Sequence, residues 1–432
     1  MKYKYLVGLL ATLPASFALA ATDISSMASK IEPQVIEWRH HFHQNPELSN
    51  REFKTAEYIA KYMRSLGMEV QTGIARTGVV AILDSGRPGP VVALRADMDA
   101  LPVPEENDLP WKSTARGEFN GKDVPVMHAC GHDTHMAMLM GAATLLNEQK
   151  ANLTGKVKFI FQPAEEGAPE GETGGAEVMV KEGVLKNPDV DVIFGLHINS
   201  RTDVGKVRYR HGGIMAAVDP FKVVIKGKQA HGAYPWLSVD PIVTSAQVVM
   251  GLQTIVSREI QLVDEAAVVT VGSIHGGVRS NIIPNEVELV GTIRTLSDDS
   301  RDHIYESLPR KVNAIAKSMG ATADITLPLD YSYPVTYNDP TLMDKMIPTL
   351  ERTAGKENVI NTKATTGAED FSFFQKEVPG LYLFVGGKPK DTPVAEAPAH
   401  HTPEFYVDDS GMKLGVELLT NLTMDYMDKN KK

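Results

Sequence analysis

The chain has 432 residues, 44 Lys plus Arg against 54 Asp plus Glu, a net charge of -10, 43% hydrophobic and 23% charged residues, and one cysteine. This mix excludes disordered, collagen-like and disulfide-scaffold classes, and the length points to more than one core. The negative balance argues against a nucleic-acid partner, because phosphate binding needs a Lys/Arg surface, but it leaves room for a local basic pocket.

Residues 1–20 read as a targeting segment. Lys2 and Lys4 give a positive start, Leu6 to Leu13 is a short apolar run, Pro14 breaks it, and Ala18-Leu19-Ala20 is a small-x-small site with cleavage expected after Ala20. The run is too short to span a bilayer permanently. An exported, periplasmic protein with no stable membrane association after signal cleavage is expected; an uncleaved anchor is the alternative. Such a compartment favours paired cysteines. Cys130 has no partner within the chain, so it calls for burial, a metal or a catalytic task.

Helical spacing from Ser25 to Leu66 is broken around Asn45-Pro46-Glu47, predicting two helices. Val79 to Leu83 and Val91 to Leu94 read as buried strands flanking a Gly/Pro turn. A helix from Ala137 to Leu146, a strand from Val157 to Phe161, a helix beginning at Ala176 and a strand from Val190 to Leu196 follow. Strands alternating with helices predict an α/β class with a sheet flanked by helices. A second pattern starts near Asp219: strand Phe221 to Lys226, helix Pro241 to Glu259, strands Ala267 to Ile274 and Val287 to Thr295, a helix capped by Ser297 and interrupted by Pro309, and strand Ala323 to Leu329. The order βαββαβ is that of a ferredoxin-like unit. The predicted organisation is therefore a signal (1–20), a discontinuous catalytic domain (21–216 and 328–432) and an inserted lid (217–327). The catalytic part resumes with a helix from Thr341 to Thr353, a strand from Leu381 to Val385 and a last helix from Ser410.

Candidate ligands sit at strand ends and in the loops after them, where open α/β sheets place their sites. His128-Ala129-Cys130-Gly131-His132-Asp133-Thr134-His135 is dense in imidazole and thiol groups that suit transition metals. Cys130 and His132, one glycine apart, can converge on one ion, while His128 and His135 serve equally well as supports. Glu165-Glu166 follows a strand; in a loop, one carboxylate can bind metal while its neighbour faces an attacking water. An exposed acidic turn is the plain alternative. His197 ends another strand, His400 and His401 lie late in the chain, and Asp97 and Asp99 suit the support of metal-bound histidines.

In that order these motifs resemble the dinuclear metallo-amidohydrolases that include hippurate hydrolase, auxin-conjugate hydrolases and bacterial N-acyl-amino-acid deacylases, relatives of aminoacylase and glutamate carboxypeptidase. The resemblance runs from about Val35 to Tyr426 and includes Ala96 to Pro102, Met127 to Asp133, Gln162 to Gly167, Gly174 to Ala176, His231-Gly232-Ala233, Asn281 to Pro284 and Ala368 to Phe371. It implies two divalent ions (zinc, manganese, cobalt or nickel) held by Cys130, His132, Glu166, His197 and His401, with His400 as the rival to His401. It makes Glu165 the general base on a metal-bound water, with Asp99 among the catalytic set. His231 would polarise the substrate carbonyl from the partner subunit of a homodimer formed through the lid. Asn281 and Arg294 would hold the substrate, with Arg279 a competing cation. The implied reaction cleaves an N-acyl-amino acid to a carboxylic acid and a free amino acid; a dipeptidase or carboxypeptidase on the same site is the alternative. Two readings from other classes are a thiol amidase using Cys130 and a non-catalytic binding protein. One departure is the longer loop Gly167 to Thr173, beside the site, which bears on the choice of acyl group.

Overall fold

The computed structural model describes residues 23–263 and 266–431; the expected signal segment, residues 1–20, lies outside the described residues. An eight-stranded mixed sheet forms the larger body. Its four central strands, Lys156–Gln162, Val91–Asp97, Val192–Asp203 and Gly380–Lys388, run parallel. Every residue of Val91–Asp97 and Gly380–Lys388 is buried, as the middle of a parallel sheet covered on both faces requires. Gly78–Asp84 and then Glu69–Ile74 extend one side antiparallel, and Val207–Tyr209 and Val359–Asn361 extend the other.

Helices Ile24–Gln44, His132–Glu148, Pro340–Ala354 and Met412–Lys429 share one apolar core with the sheet. The shorter helices Gly175–Lys181 and Ser372–Glu377 share a second one. Val79–Leu83 and Val91–Leu94 are not hairpin partners: Lys156–Gln162 lies between them, antiparallel to one and parallel to the other.

Residues 217–326 build a second sheet in the order Ala267–His275, Glu286–Thr295, Ala217–Lys226, Thr322–Thr326, antiparallel throughout. Helices Pro241–Glu259 and Asp298–Ser318 pack with it around a separate core of Phe221, Val248, Leu252, Ile293, Leu308 and their neighbours. Asp240 caps the first helix, accepting from the amides of Ile242 and Val243, and Pro241 occupies its first turn. Ser297 caps the second. Pro309 does not interrupt that helix. Ile304, Leu308, Val312 and Ala316 recur every four residues as one buried stripe, and this packing outweighs the backbone bond that proline removes.

Other elements differ from expectation, among them the strand Val192–Asp203, which runs past His197 instead of ending there. The site helix begins at His132, five residues before its apolar repeat, because its first turn is polar and follows Gly131 at φ +97°. Glu69–Ile74 is a strand that the sequence reading missed, since its residues are mostly exposed at the sheet edge. The last strand of the second sheet ends at Thr326 rather than Leu329.

Because the two bodies have separate cores, Leu308→Ala should loosen only the smaller one. A cavity there costs about 2–5 kcal/mol. Hydrogen exchange should accelerate across residues 217–326 while the amides of Val91–Asp97 keep their protection.

Candidate active site

The site lies at the carboxyl ends of the central parallel strands. Gly131 makes its first turn possible: a Cβ there would stand 2.4 Å from Ile198 Cγ2, in a backbone region that already disfavours other residues. That turn carries Cys130 and His132 into the site, where they join separate groups of donor atoms. Cys130 Sγ lies 3.3 Å from His197 Nε2 and 3.3 Å from His401 Nε2, and His401 Nε2 lies 3.0 Å from Glu166 Oε1. His132 Nε2 is 3.9 Å from Glu165 Oε2 and 4.0 Å from Glu166 Oε1. Two groups with mutually close donor atoms result: Cys130, Glu166 and His401, and His132, Glu165 and Glu166. A third group joins Cys130 to His197 and His400.

The hydrogen bonds separate the presented nitrogens from the committed ones. His132 Nδ1 donates to the carbonyl of Asp99 (2.8 Å), and His197 Nδ1 donates to that of Ile198. In each ring Nδ1 is committed to a carbonyl and Nε2 is the nitrogen left for the site, as in metal-binding histidines. His400 differs. Its Nδ1 donates to the carbonyl of Cys130 (3.1 Å) and its Nε2 accepts from the amide of Ser200 (3.2 Å), so both nitrogens are engaged. His135 is likewise engaged, by Asp97 (2.6 Å) and the amide of Ile198 (2.8 Å). His128 is buried, with neither ring nitrogen hydrogen-bonded, and burial pushes its pKa down to about 3.

The electrostatics describe a hollow that wants positive charge. Burial, then Glu369 and Glu166, pushes the Glu165 carboxyl well above the usual range. Burial, then Glu166 and Glu165, does the same to the Cys130 thiol. Burial opposes the charge on His132, but Asp97 and Asp99 outweigh it and raise the ring to about 10. His132 Nε2 is buried with no hydrogen-bond partner, and the buried Glu166 Oε1 meets only His401 Nε2. Unpartnered donors, a thiol and crowded carboxylates are what a divalent-cation site leaves when only protein atoms are counted, so the residues fit the ions that the family resemblance implies.

Asp99 lies behind the site. Its carboxylate accepts from the amides of Glu165 (3.1 Å) and Glu166 (3.0 Å) and from the Ser49 hydroxyl (2.7 Å), so it shapes the Glu165-Glu166 turn. Glu52 supports the same turn by accepting from the amide of Ala164 (2.9 Å), a residue at φ +51°. Sequence reasoning missed Glu52, as it missed Tyr333, whose hydroxyl donates to the Glu165 carbonyl (3.1 Å). Neither lies near the other site residues in sequence, and no motif marked them. The long loop Gly167 to Thr173 is pinned by Glu172, which pairs with Arg51 (2.6 Å) and Arg76 (3.0 Å).

A cavity of about 900 Å³ opens over Cys130, Glu165, Glu166, His197 and His401, and Arg294 of the second sheet reaches its wall. His231 and Asn281 do not line it. They share a small ribbon in which Ala230–His231 pairs with Ile282–Ile283, and both are exposed. Arg279 is also exposed in that region.

A buried carboxylate beside soft and imidazole donors, over a substrate-sized cavity at the ends of parallel strands, defines a hydrolase site of the metal-dependent kind. Residues 93–425 match the model of Peptidase family M20/M25/M40, and the chain belongs to that family. It is 39% identical to Thermostable carboxypeptidase 2 of Saccharolobus solfataricus over 401 residues, 93% of this chain and 97% of that protein. It is 36% identical to N-acetyl-L-cysteine deacetylase of Bacillus subtilis over 406 residues, 93% of this chain and 90% of that one. A solved dinuclear metal binding peptidase of the M20 family from Bacillus subtilis shares its fold with a TM-score of 0.77 at 31% identity, covering 93% of this chain and 99% of that one. The chain is accordingly an amide-bond hydrolase.

Burial, then the Asp99 charge, raises the Glu52 carboxyl from 4.5 to about 8. The folded chain thus keeps a proton that the unfolded chain releases, and stability falls as pH rises between those values. Glu52→Gln should flatten this part of the profile. Thermal midpoints measured near pH 5 and about pH 9 should differ less in the variant than in the parent.

Proposed function

We propose that the protein hydrolyses the amide bond of N-acyl-amino acids, releasing a carboxylic acid and a free amino acid, with Cys130, His132, Glu166, His197 and His401 holding two divalent cations. The observation that carries this reading is the buried Glu165 carboxylate beside that donor set and facing a cavity with an arginine at its wall. His401 is preferred to His400 because its Nε2 faces Cys130 and Glu166, whereas both nitrogens of His400 are engaged. When bound, the cations supply Lewis acidity that polarises the carbonyl and activates water. Zinc, manganese, cobalt and nickel all suit the donors.

Glu165 takes the proton of the attacking water as the oxygen–carbon bond forms. It then delivers that proton to the amine nitrogen as the carbon–nitrogen bond breaks. Arg294 holds the substrate carboxylate. Asp99 acts by position, fixing the turn that aims Glu165. The buried, carboxylate-flanked Cys130 thiol is poorly suited to act as a nucleophile by itself. A carboxypeptidase reading rests on the same site and on the likeness to Thermostable carboxypeptidase 2.

In this reading the protein is a homodimer joined through residues 217–327, in which His231 and Asn281 complete the partner's site. Its support is that neither residue lines the cavity of its own chain, together with an apolar surface around them: Trp236 is 74% exposed and Val278 93%. The strand Ala267–His275 also leaves one sheet edge free for pairing. Export to the periplasm is proposed from the pattern of residues 1–20. No helix among the described residues is long and apolar enough to cross a membrane.

Glu165→Gln should retain bound metal and lose about 10²-fold or more in rate. Turnover of acetyl-, benzoyl- and indole-acetyl-amino acids and of dipeptides, with metal content assayed on the same samples, checks this; near-normal turnover would sink the role. Shared sites predict that mixing a His231→Ala variant with a Glu165→Gln variant restores part of the activity through mixed dimers. No recovery after demonstrated subunit exchange rejects the sharing.

A further inference from the structure

Arg208 lines the cavity from the larger sheet, whereas Arg294 reaches it from the second sheet. Three neighbouring strands place it there. His197 pairs with Phe384, and Phe384 pairs with Arg208, so the three stand in one row across the sheet. Directly paired residues share a face, and all three line the cavity. Adjacent strands are about 4.8 Å apart, which puts the backbone of Arg208 about 10 Å from that of His197. This is within the span of a small substrate. Arg201, two alternations beyond His197 on the same strand, lines the same wall from a more exposed position.

The partners of Arg208 set it apart from the buried arginines. Arg39 pairs with Asp133 and Asp409, Arg95 with Asp97, Glu369 and Asp370, and Arg301 with Asp219. Arg208 is half-buried, and its guanidinium is oriented by hydroxyls alone: Nε (3.0 Å) and Nη2 donate to Thr362 and Nη1 to Thr202 (3.2 Å). No carboxylate lies within ion-pair distance of it among the described residues. Burial correspondingly lowers its pKa, whereas the three paired arginines are raised. Arg294 is in the same condition, half-buried and bonded only to the Thr292 hydroxyl and a backbone carbonyl. One cavity thus carries two partly desolvated cations, supplied by different sheets, neither within ion-pair distance of a carboxylate among the described residues; Asp219 acts on Arg294 only from farther away.

We propose that Arg208 is a second anion-binding subsite and that the preferred substrates are dicarboxylic N-acyl-amino acids, with one carboxylate held by Arg294 and the other by Arg208. This inference rests on the amidohydrolase reading of the site. The second carboxylate belongs either to the acyl group or to the amino-acid side chain, and the two sources share the chemistry that a guanidinium fork selects.

The test measures binding to metal-loaded Glu165→Gln protein by calorimetry. The probes are N-succinylglycine and N-acetyl-L-glutamate, each set against its uncharged counterpart, N-butyrylglycine or N-acetyl-L-glutamine. At least one dicarboxylate should bind about tenfold or more tighter than its counterpart, and which one does so identifies the source. Adding Arg208→Gln should bring that pair to parity. If circular dichroism shows that this variant is unfolded, Arg208→Lys takes its place and should keep only part of the preference, because the point charge lacks the fork. Equal binding of both pairs in the parent, or a preference that survives replacement of Arg208, overturns the subsite. Turnover by the unsubstituted enzyme is scored separately. A dicarboxylate preference without hydrolysis of any acyl-amino acid overturns the amidohydrolase reading and spares the subsite.

Discussion

Arg95 is the cation on which the lower tier of the site depends. Fully enclosed at the end of a buried strand, it bonds Asp97 (2.8 Å), Glu369 (2.9 Å), Asp370 (3.0 Å) and the side-chain amide oxygen of Gln162 (2.8 Å), and it faces the Phe371 ring. These carboxylates converge from segments far apart in sequence. Without a buried positive charge among them, their desolvation and mutual repulsion would oppose closing the sheet. The bonds of Arg95 also fix Asp97, which in turn fixes His135 and stands 3.7 Å from His132 Nε2. The placement of the site histidines therefore follows from a charge arrangement beneath them.

Above that tier the balance changes. Cys130, Glu165 and Glu166 crowd together with no Arg or Lys among their contacts in the described residues, and their proton affinities rise accordingly for Cys130 and Glu165. One layer is neutralised internally and the next is left electron-rich, which is the condition under which divalent cations bind and a carboxylate beside them can move protons. The turn that carries Glu165 is held from behind by Asp99, Glu52 and the Tyr333 hydroxyl. Its geometry does not depend on the ions alone.

Much of this was legible in the sequence for physical reasons. The helix Pro241–Glu259 carried both a cap and a proline start, so its boundaries could be read closely. The chemistry of Cys130-Gly131-His132 and Glu165-Glu166 was legible because unusual side chains were concentrated at strand ends. The start of the site helix was not, since apolar periodicity is blind to a polar first turn. Arg208 was hidden for a similar reason: its strand, Val207–Tyr209, is too short to announce itself. Its meaning arises only when Gly380–Lys388 brings it into line with His197. Glu52 and Tyr333 carry no local pattern at all, because their importance lies in the backbone groups that they hold.

The net charge of -10 acquires a different meaning once the cavity is considered. An acidic surface would repel the anionic substrates of an amidohydrolase at long range, though salt screens such repulsion beyond about 8–10 Å. Inside the cavity the local terms dominate. Arg294 and Arg208 are partly desolvated and have no carboxylate in ion-pair contact among the described residues, so their attraction is concentrated where the substrate sits. The acidic exterior and the cationic walls are therefore compatible. Selectivity for the second carboxylate would arise from desolvated, directional contacts at close range rather than from the overall charge of the chain.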